Sequence, residues 1–350
     1  MSRLLTLSLL LAGCATLHVP LPPEAELHRA KTDDGWELGL VRYKAVGPPT
    51  GVPVLLCHGI SANARNLDLD ETHSLARWFA AHGREAWTMS MRAAGDSDGP
   101  DESKGRHPPS FDDYWQHDLP AAIGLVRQVS GASTIDYVGH SMGGMIIYAY
   151  LSQGGQGLNA VATLGSPTRL DWGSGTESLL KVAPALLSKS SMLPSRFGSW
   201  LTAPFQGAVD DGVFERLFYN HESTSTTSFQ RLMAYGTSDT AGGVALQLIR
   251  LVETGRFASN DGALDFRAGL GRVTLPVLVV AARLDRIALT PAVRDGYEAL
   301  GGPKEWLMIS RANGARAEYG HMDLVIGERA PDEVWSRVLD FLNRHARKEP

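Results

Sequence analysis

One serine set among glycines, Gly139-His140-Ser141-Met142-Gly143, follows directly on the apolar run Ile135-Asp136-Tyr137-Val138 and leads into Met145-Ile146-Ile147-Tyr148-Ala149-Tyr150. Strand, sharp turn, helix is the order that this pattern predicts, with the serine at the apex of the turn. Such a turn strains the serine backbone and lifts its hydroxyl clear of the sheet. Gly139 and Gly143 are read as obligatory, because a side chain at either would collide with the neighbouring strand or helix. Ser141 is therefore the candidate nucleophile.

Three further features stand in the order that serine chemistry needs. Val54-Leu55-Leu56-Cys57-His58-Gly59-Ile60 reads as a buried strand ending in His-Gly. An elbow serine takes its oxyanion donors from the residue after it and from the loop after an early strand, which points to the N–H groups of Met142 and Ile60. His58 precedes that loop and reads as a hydrogen-bonding scaffold residue rather than a catalyst. Pro276-Val277-Leu278-Val279-Val280-Ala281-Ala282-Arg283-Leu284-Asp285 is a β-branched run that delivers Asp285 at a strand's C-terminal end, where sites gather in open α/β sheets. Asp171, after the earlier predicted strand 160–164, is the rival acid. Gly320-His321-Met322-Asp323 supplies the base, expected as an exposed loop histidine. His28 is placed before the core, His73 and His82 on a predicted surface helix, and His345 in the tail. Ser141, Asp285 and His321 thus form the candidate catalytic set.

On these four motifs the chain resembles the α/β-hydrolase superfamily over roughly residues 33–169 and 270–346. Met91-Arg92-Ala93-Ala94-Gly95-Asp96-Ser97-Asp98-Gly99-Pro100 is similar to the Arg-Gly-x-Gly-x-Ser-Asp-x-Pro loop of many members, with Ala93 in place of the first glycine. The resemblance implies a mostly parallel sheet with helices on both faces and a cap inserted after the sixth strand. It also implies a serine esterase, lipase or related hydrolase that uses no cofactor and no metal. Serine at 141 speaks against haloalkane dehalogenases and epoxide hydrolases, which carry aspartate there, and against polyester synthases, which carry cysteine. An amidase or peptidase on the same triad, and an idle envelope protein that binds a lipid or partner, are the other readings.

The N-terminus has its own signature. Arg3 precedes an apolar core from Leu4 to Leu11, too short to span a bilayer, and the segment ends Leu11-Ala12-Gly13-Cys14. This resembles the lipobox of bacterial lipoproteins, which implies cleavage before Cys14 and acylation of that residue. Ala15 is not the aspartate associated with inner-membrane retention, so an outer-membrane location in the bacterial envelope is expected. The partners expected are a small-molecule or lipid ester and a membrane reached through the N-terminal lipid. With only two cysteines in the chain, lipidation of Cys14 leaves Cys57 as a buried small hydrophobe.

A length of 350 residues with 43% hydrophobic content suffices for one large core plus an insertion, and a net charge of −5 shows no bias toward nucleic acid. The organisation expected is a signal peptide over 1–13, a tether over 14–30, core over 31–169, a cap over 170–270, and core again over 271–350. Within the cap, helical pieces are predicted at 177–187 and 243–253. Most of its apolar residues, Leu179, Leu180, Leu186, Leu187, Met192, Leu193, Phe197, Trp200, Leu201 and Phe205, are expected to pack onto the core, and a minority to line an acyl pocket.

Overall fold

The computed structural model describes residues 20–170, 191–207 and 213–346. Its strands are β1 (Glu26–Lys31), β2 (Glu37–Tyr43), β3 (Val54–Cys57), β4 (Ala86–Met89), β5 (Ile135–His140), β6 (Leu158–Leu164), β7 (Met192–Leu193), β8 (Thr240–Ala241), β9 (Val277–Ala282) and β10 (Lys304–Ile309). Eight of them form one sheet in the order β1-β2-β4-β3-β5-β6-β9-β10. β2 runs antiparallel to both β1 and β4, and every other pairing in this sheet is parallel. β7 and β8 form a separate antiparallel ribbon in the segment between β6 and β9.

The apolar runs behave as central parallel strands because both of their faces are covered. Successive side chains alternate between two cores. Val54, Leu56, Val138, Ala160, Ala162, Leu278 and Val280 enter one, together with Phe79 and Phe341 from flanking helices. Leu55, Cys57, Tyr137, Val161, Val277 and Val279 enter the other, with Ile123, Ile147 and Val293 from helices on the opposite face. Helix Leu75–Ala81 opens on Ser74, whose hydroxyl accepts from Arg77 N–H. Arg84 and Asp136, both fully buried, pair beneath the sheet, and Asp136 also accepts from Asn159 and Ala160 N–H. Removing one partner of such a pair costs about 3–5 kcal/mol.

The sequence expectations for the core strands and helices hold to within a few residues. Two placements differ. His28 lies within β1 with its ring against Trp87, so it belongs to the sheet. His73 precedes its helix and is buried, held by Asp70 at 2.9 Å. The cause is long range: Asp70 is itself fixed by Arg231, far along the chain.

Between β6 and β9 the regular alternation stops, as anticipated. Helix Gly242–Thr254 matches the piece predicted at 243–253, whereas 177–187 lies outside the described residues. This insertion is tied to the loop after β3. Asn63 donates to the carbonyls of Tyr235 and Thr237, and Ser61 bonds Thr240. Its apolar residues do not all turn inward. Trp200 packs on the core, but Phe197, Leu201 and Phe205 are 63%, 42% and 60% exposed. Those three are not among the residues packed on the core, and Leu179, Leu180, Leu186 and Leu187 lie outside the described residues.

Candidate active site

Ser141 follows the last residue of β5 and precedes helix Met142–Ser152, with φ 54° and ψ −120°. Positive φ in a residue with a Cβ is strained by about 1–2 kcal/mol, and here the surroundings over-determine it. Its N–H is held by Leu164 O at 2.9 Å, while its carbonyl accepts from Gly144 and Met145. The two glycines are needed for the reason read from sequence. A Cβ on Gly139 would lie 2.5 Å from the carbonyl carbon of Gly143, and one on Gly143 would lie 2.5 Å from Cys57 O. Both obstacles are backbone, which cannot step aside.

Gly59 comes against the serine, since a Cβ there would meet Ser141 Cβ at 3.0 Å. The next residue is Ile60, half-buried at the start of the loop. Met142 is the first residue of its helix, so its N–H has no intrahelical acceptor. His58 is a scaffold residue in its contacts. Its Nδ1–H donates to Gly59 O at 2.8 Å and its Nε2 accepts from Met91 N–H at 3.2 Å. Burial pulls its pKa down to about 4, so it remains neutral and joins the ends of β3 and β4. Cys57 is buried and burial pushes its thiol up to about 12, the behaviour of a small hydrophobe.

Asp285 and His321, 36 positions apart in sequence, meet with Nδ1 2.7 Å from Oδ2. Both are buried, so the base is not the exposed histidine expected. The other carboxylate oxygen of Asp285 accepts from Ile287 and Ala288 N–H at 2.9 and 2.7 Å, which aims the acid. Gly165, just beyond β6, backs the pair at φ +56°. A Cβ there would reach 3.1 Å from Asp285 Oδ2 and 3.3 Å from His321 Nδ1. Asp171, the rival acid, lies outside the described residues.

Two residues that sequence reasoning passed over hold the histidine loop. His140, inside the elbow motif, sets its ring at a tilt 4.7 Å from that of His321 and donates from Nε2 to the His321 carbonyl at 3.2 Å. Burial, with the nearby His321 charge, holds His140 well below its ordinary pKa, so it acts as a neutral brace. Asp323 accepts from Gly320 N–H at 2.6 Å, from Asn220 N–H at 2.9 Å and from the Thr224 hydroxyl at 2.6 Å, and burial pushes it up to about 7. The motif Gly320-His321-Met322-Asp323 contained this signal, but the partners at 220 and 224 belong to the insertion. Elsewhere, Asp33, Asp34 and His117 bring ligand-type atoms within 4.8 Å of one another, yet Arg92 and Thr32 already occupy Asp34, and His117 bonds Asp33.

The strand order agrees with the similarities found. The family model described as alpha/beta hydrolase fold matches residues 52–305, a span that includes Ser141 and Asp285 and ends before His321. The chain is 24% identical over 352 residues to Lipase 1 of Drosophila melanogaster, covering 92% of this chain and 77% of that protein. It is 24% identical over 359 residues to Triacylglycerol lipase 1 of Arabidopsis thaliana, covering 94% and 89%. Among solved structures, a thermophilic esterase from Thermogutta terrifontis superposes with a TM-score of 0.60 at 15% identity, covering 92% of this chain and all of that one. Over more than half of its length, the chain belongs to the alpha/beta hydrolase fold family.

Proposed function

We propose that this protein is a carboxylic ester hydrolase that works through Ser141, His321 and Asp285. The observations that carry the reading are the 2.7 Å Asp285–His321 bond and a serine held at positive φ directly after His140, whose ring bonds the His321 carbonyl. Asp285 accepts the Nδ1 proton and thereby leaves Nε2 free to take a proton from the Ser141 hydroxyl. The serine oxygen attacks the ester carbonyl, and the Met142 and Ile60 N–H groups hold the oxyanion. His321 then protonates the departing alcohol, water attacks the acyl-serine with the same histidine as base, and the acid leaves. Lipases from fly and plant among the relatives support an ester with a hydrophobic acyl part.

The N-terminal segment extends the proposal. Cleavage before Cys14 and acylation of that residue would fasten the enzyme to the bacterial envelope, on the outer membrane where one exists. The tether over 14–30 and the cap over 170–270 complete this organisation.

The test is covalent. A fluorophosphonate is expected to label Ser141 in the wild type and to leave Ser141→Ala unlabelled. Ester turnover in that variant is expected to fall by several orders of magnitude, with about 10³-fold residual catalysis over water from the oxyanion donors and binding. Full labelling of Ser141→Ala would move the nucleophile elsewhere and overturn the assignment.

A further inference from the structure

Helix Ser195–Thr202 and the turn Ala203–Phe205 that continues it carry Phe197, Leu201 and Phe205 at intervals of four. Residues so spaced share one helical face. That face is turned outward, and each of the three is more than two-fifths exposed, while Ala203 on the other side is fully buried. Among the described residues this apolar face is left uncovered, while Trp200 of the same helix packs against the core. Such a face, when contiguous, marks a contact surface.

Two observations identify what covers it. The first is where the chain enters the fold. Leu21, almost the first described residue, lines the same 310 Å³ cavity as Arg196, which stands next to Phe197. Only seven residue steps separate Cys14 from Leu21, a reach of at most about 25 Å. A lipid on Cys14 would then hold this helix beside the membrane. The second is charge. Arg196 is exposed beside the apolar face, its guanidinium has no ion-pair partner among the described residues, and it suits an anionic headgroup.

The helix is also linked by hydrogen bonds to the loop that carries Ile60. Ser195 donates to Ser238 O, and Thr240 beyond it bonds Ser61, next to the oxyanion donor Ile60. We infer that the Phe197–Leu201–Phe205 face seats on the surface of a lipid bilayer, on the side of the molecule from which the N-terminal anchor emerges. The site then opens toward the membrane, and esters embedded in that bilayer are its substrate class. This inference rests on the proposed esterase and on acylation of Cys14.

The full acylated chain, reconstituted in vesicles of phosphatidylethanolamine and phosphatidylglycerol, provides the test. A nitroxide on Phe205→Cys is expected to collide with dissolved oxygen and to be shielded from a water-soluble nickel chelate. The same label on Glu298→Cys, on the exposed face of a core helix, is expected to behave oppositely. Phe197→Ser/Leu201→Ser/Phe205→Ser is expected to lower turnover of a bilayer-borne ester by about tenfold or more and to leave turnover of a dissolved short-chain ester unchanged. A Phe205 label as accessible to the chelate as that at Glu298 overturns the inference. So does shielding that disappears when the protein is diluted within the vesicles, since a second copy would then be the occupant. Equal loss on both esters overturns it as well. Fluorophosphonate labelling of Ser141 in the same vesicles, and the mass of the N-terminal peptide, report separately on the esterase and the anchor.

Discussion

Asp285 accepts three hydrogen bonds, two from backbone N–H groups and one from the His321 ring, so its side chain is oriented by the fold as well as by its partner. The amide introduced by Asp285→Asn could keep the two backbone bonds through its oxygen but would turn an N–H₂ toward Nδ1. That forces the proton onto Nε2, the atom that must accept from Ser141. Asp285→Asn is therefore expected to lower kcat by about 10⁴-fold with little change in unfolding midpoint. Steady-state kinetics and a urea melt on the same preparation check both halves, and a mild kinetic effect would return the acid to Asp171. Ala93 poses a different residue-scale question. It adopts φ 64° in the loop after β4, so the backbone there takes the left-handed form although the glycine of the related motif is absent. The loop is held regardless, by Ala93 N–H to Asp98 O and by Asp98 N–H to Glu37 O. Ala93→Gly relieves the Cβ clash and is expected to raise stability by about 0.5–1 kcal/mol, read as a shift in denaturation midpoint without a change in m.

At the scale of elements, the insertion is fastened to the core by a histidine latch. His73 bonds Asp70 through Nδ1, while its Nε2 lies 3.1 Å from Glu328 and 3.3 Å from the Ser228 hydroxyl on helix Thr226–Tyr235. Arg231 of the same helix bonds the second oxygen of Asp70 at 2.6 Å. Burial pulls the His73 pKa down, but the hydrogen bond and charge of Asp70, aided by Glu328, more than offset it and hold it above its ordinary value. A folded-state pKa above the unfolded one means that the stabilisation is complete below about pH 6.5 and is lost as pH rises through the folded value. The thermal midpoint of the wild type is expected to decline over that alkaline window more than that of His73→Gln, which has no proton to lose. Parallel curves for the two proteins would show that the latch does not titrate there.

At the scale of the whole molecule, the catalytic candidates come from both halves of the chain and follow the C-terminal ends of β3, β5, β9 and β10. The segment between β6 and β9 is bonded to the loops that carry them through Asn63, Ser61 and Asp323. Leu21, near the start of the described residues, lines a cavity together with Arg196 of helix Ser195–Thr202. The proposed acylation at Cys14 would therefore govern how the entire molecule is presented to its substrate. Mass spectrometry of the mature protein is expected to show a diacylglyceryl group on Cys14. Cys14→Ser is expected to appear in the soluble fraction or to remain unprocessed. A free thiol on Cys14, with cleavage at another bond, would remove the anchor from the account.

What the sequence by itself determined is whatever depends on neighbours along the chain. Unbroken β-branched runs must be buried strands, the Gly139–Gly143 spacing admits only a sharp turn, and the order of Ser141, Asp285 and His321 follows one strand after another. Those signals are local, and the fold kept them. Only the tertiary structure decided that His321 is buried, because His140, which reaches its carbonyl, and Asn220 and Thr224, which donate to Asp323, lie far from it in sequence. The same holds for His73, whose partners at 228 and 328, and the Arg231 that holds its Asp70, cannot be read from a helical periodicity around residue 75. Phe197, Leu201 and Phe205 make the point in reverse. Their spacing indicates an apolar helical face, but which way that face turns depends on what already covers the core, and here the core left it outside.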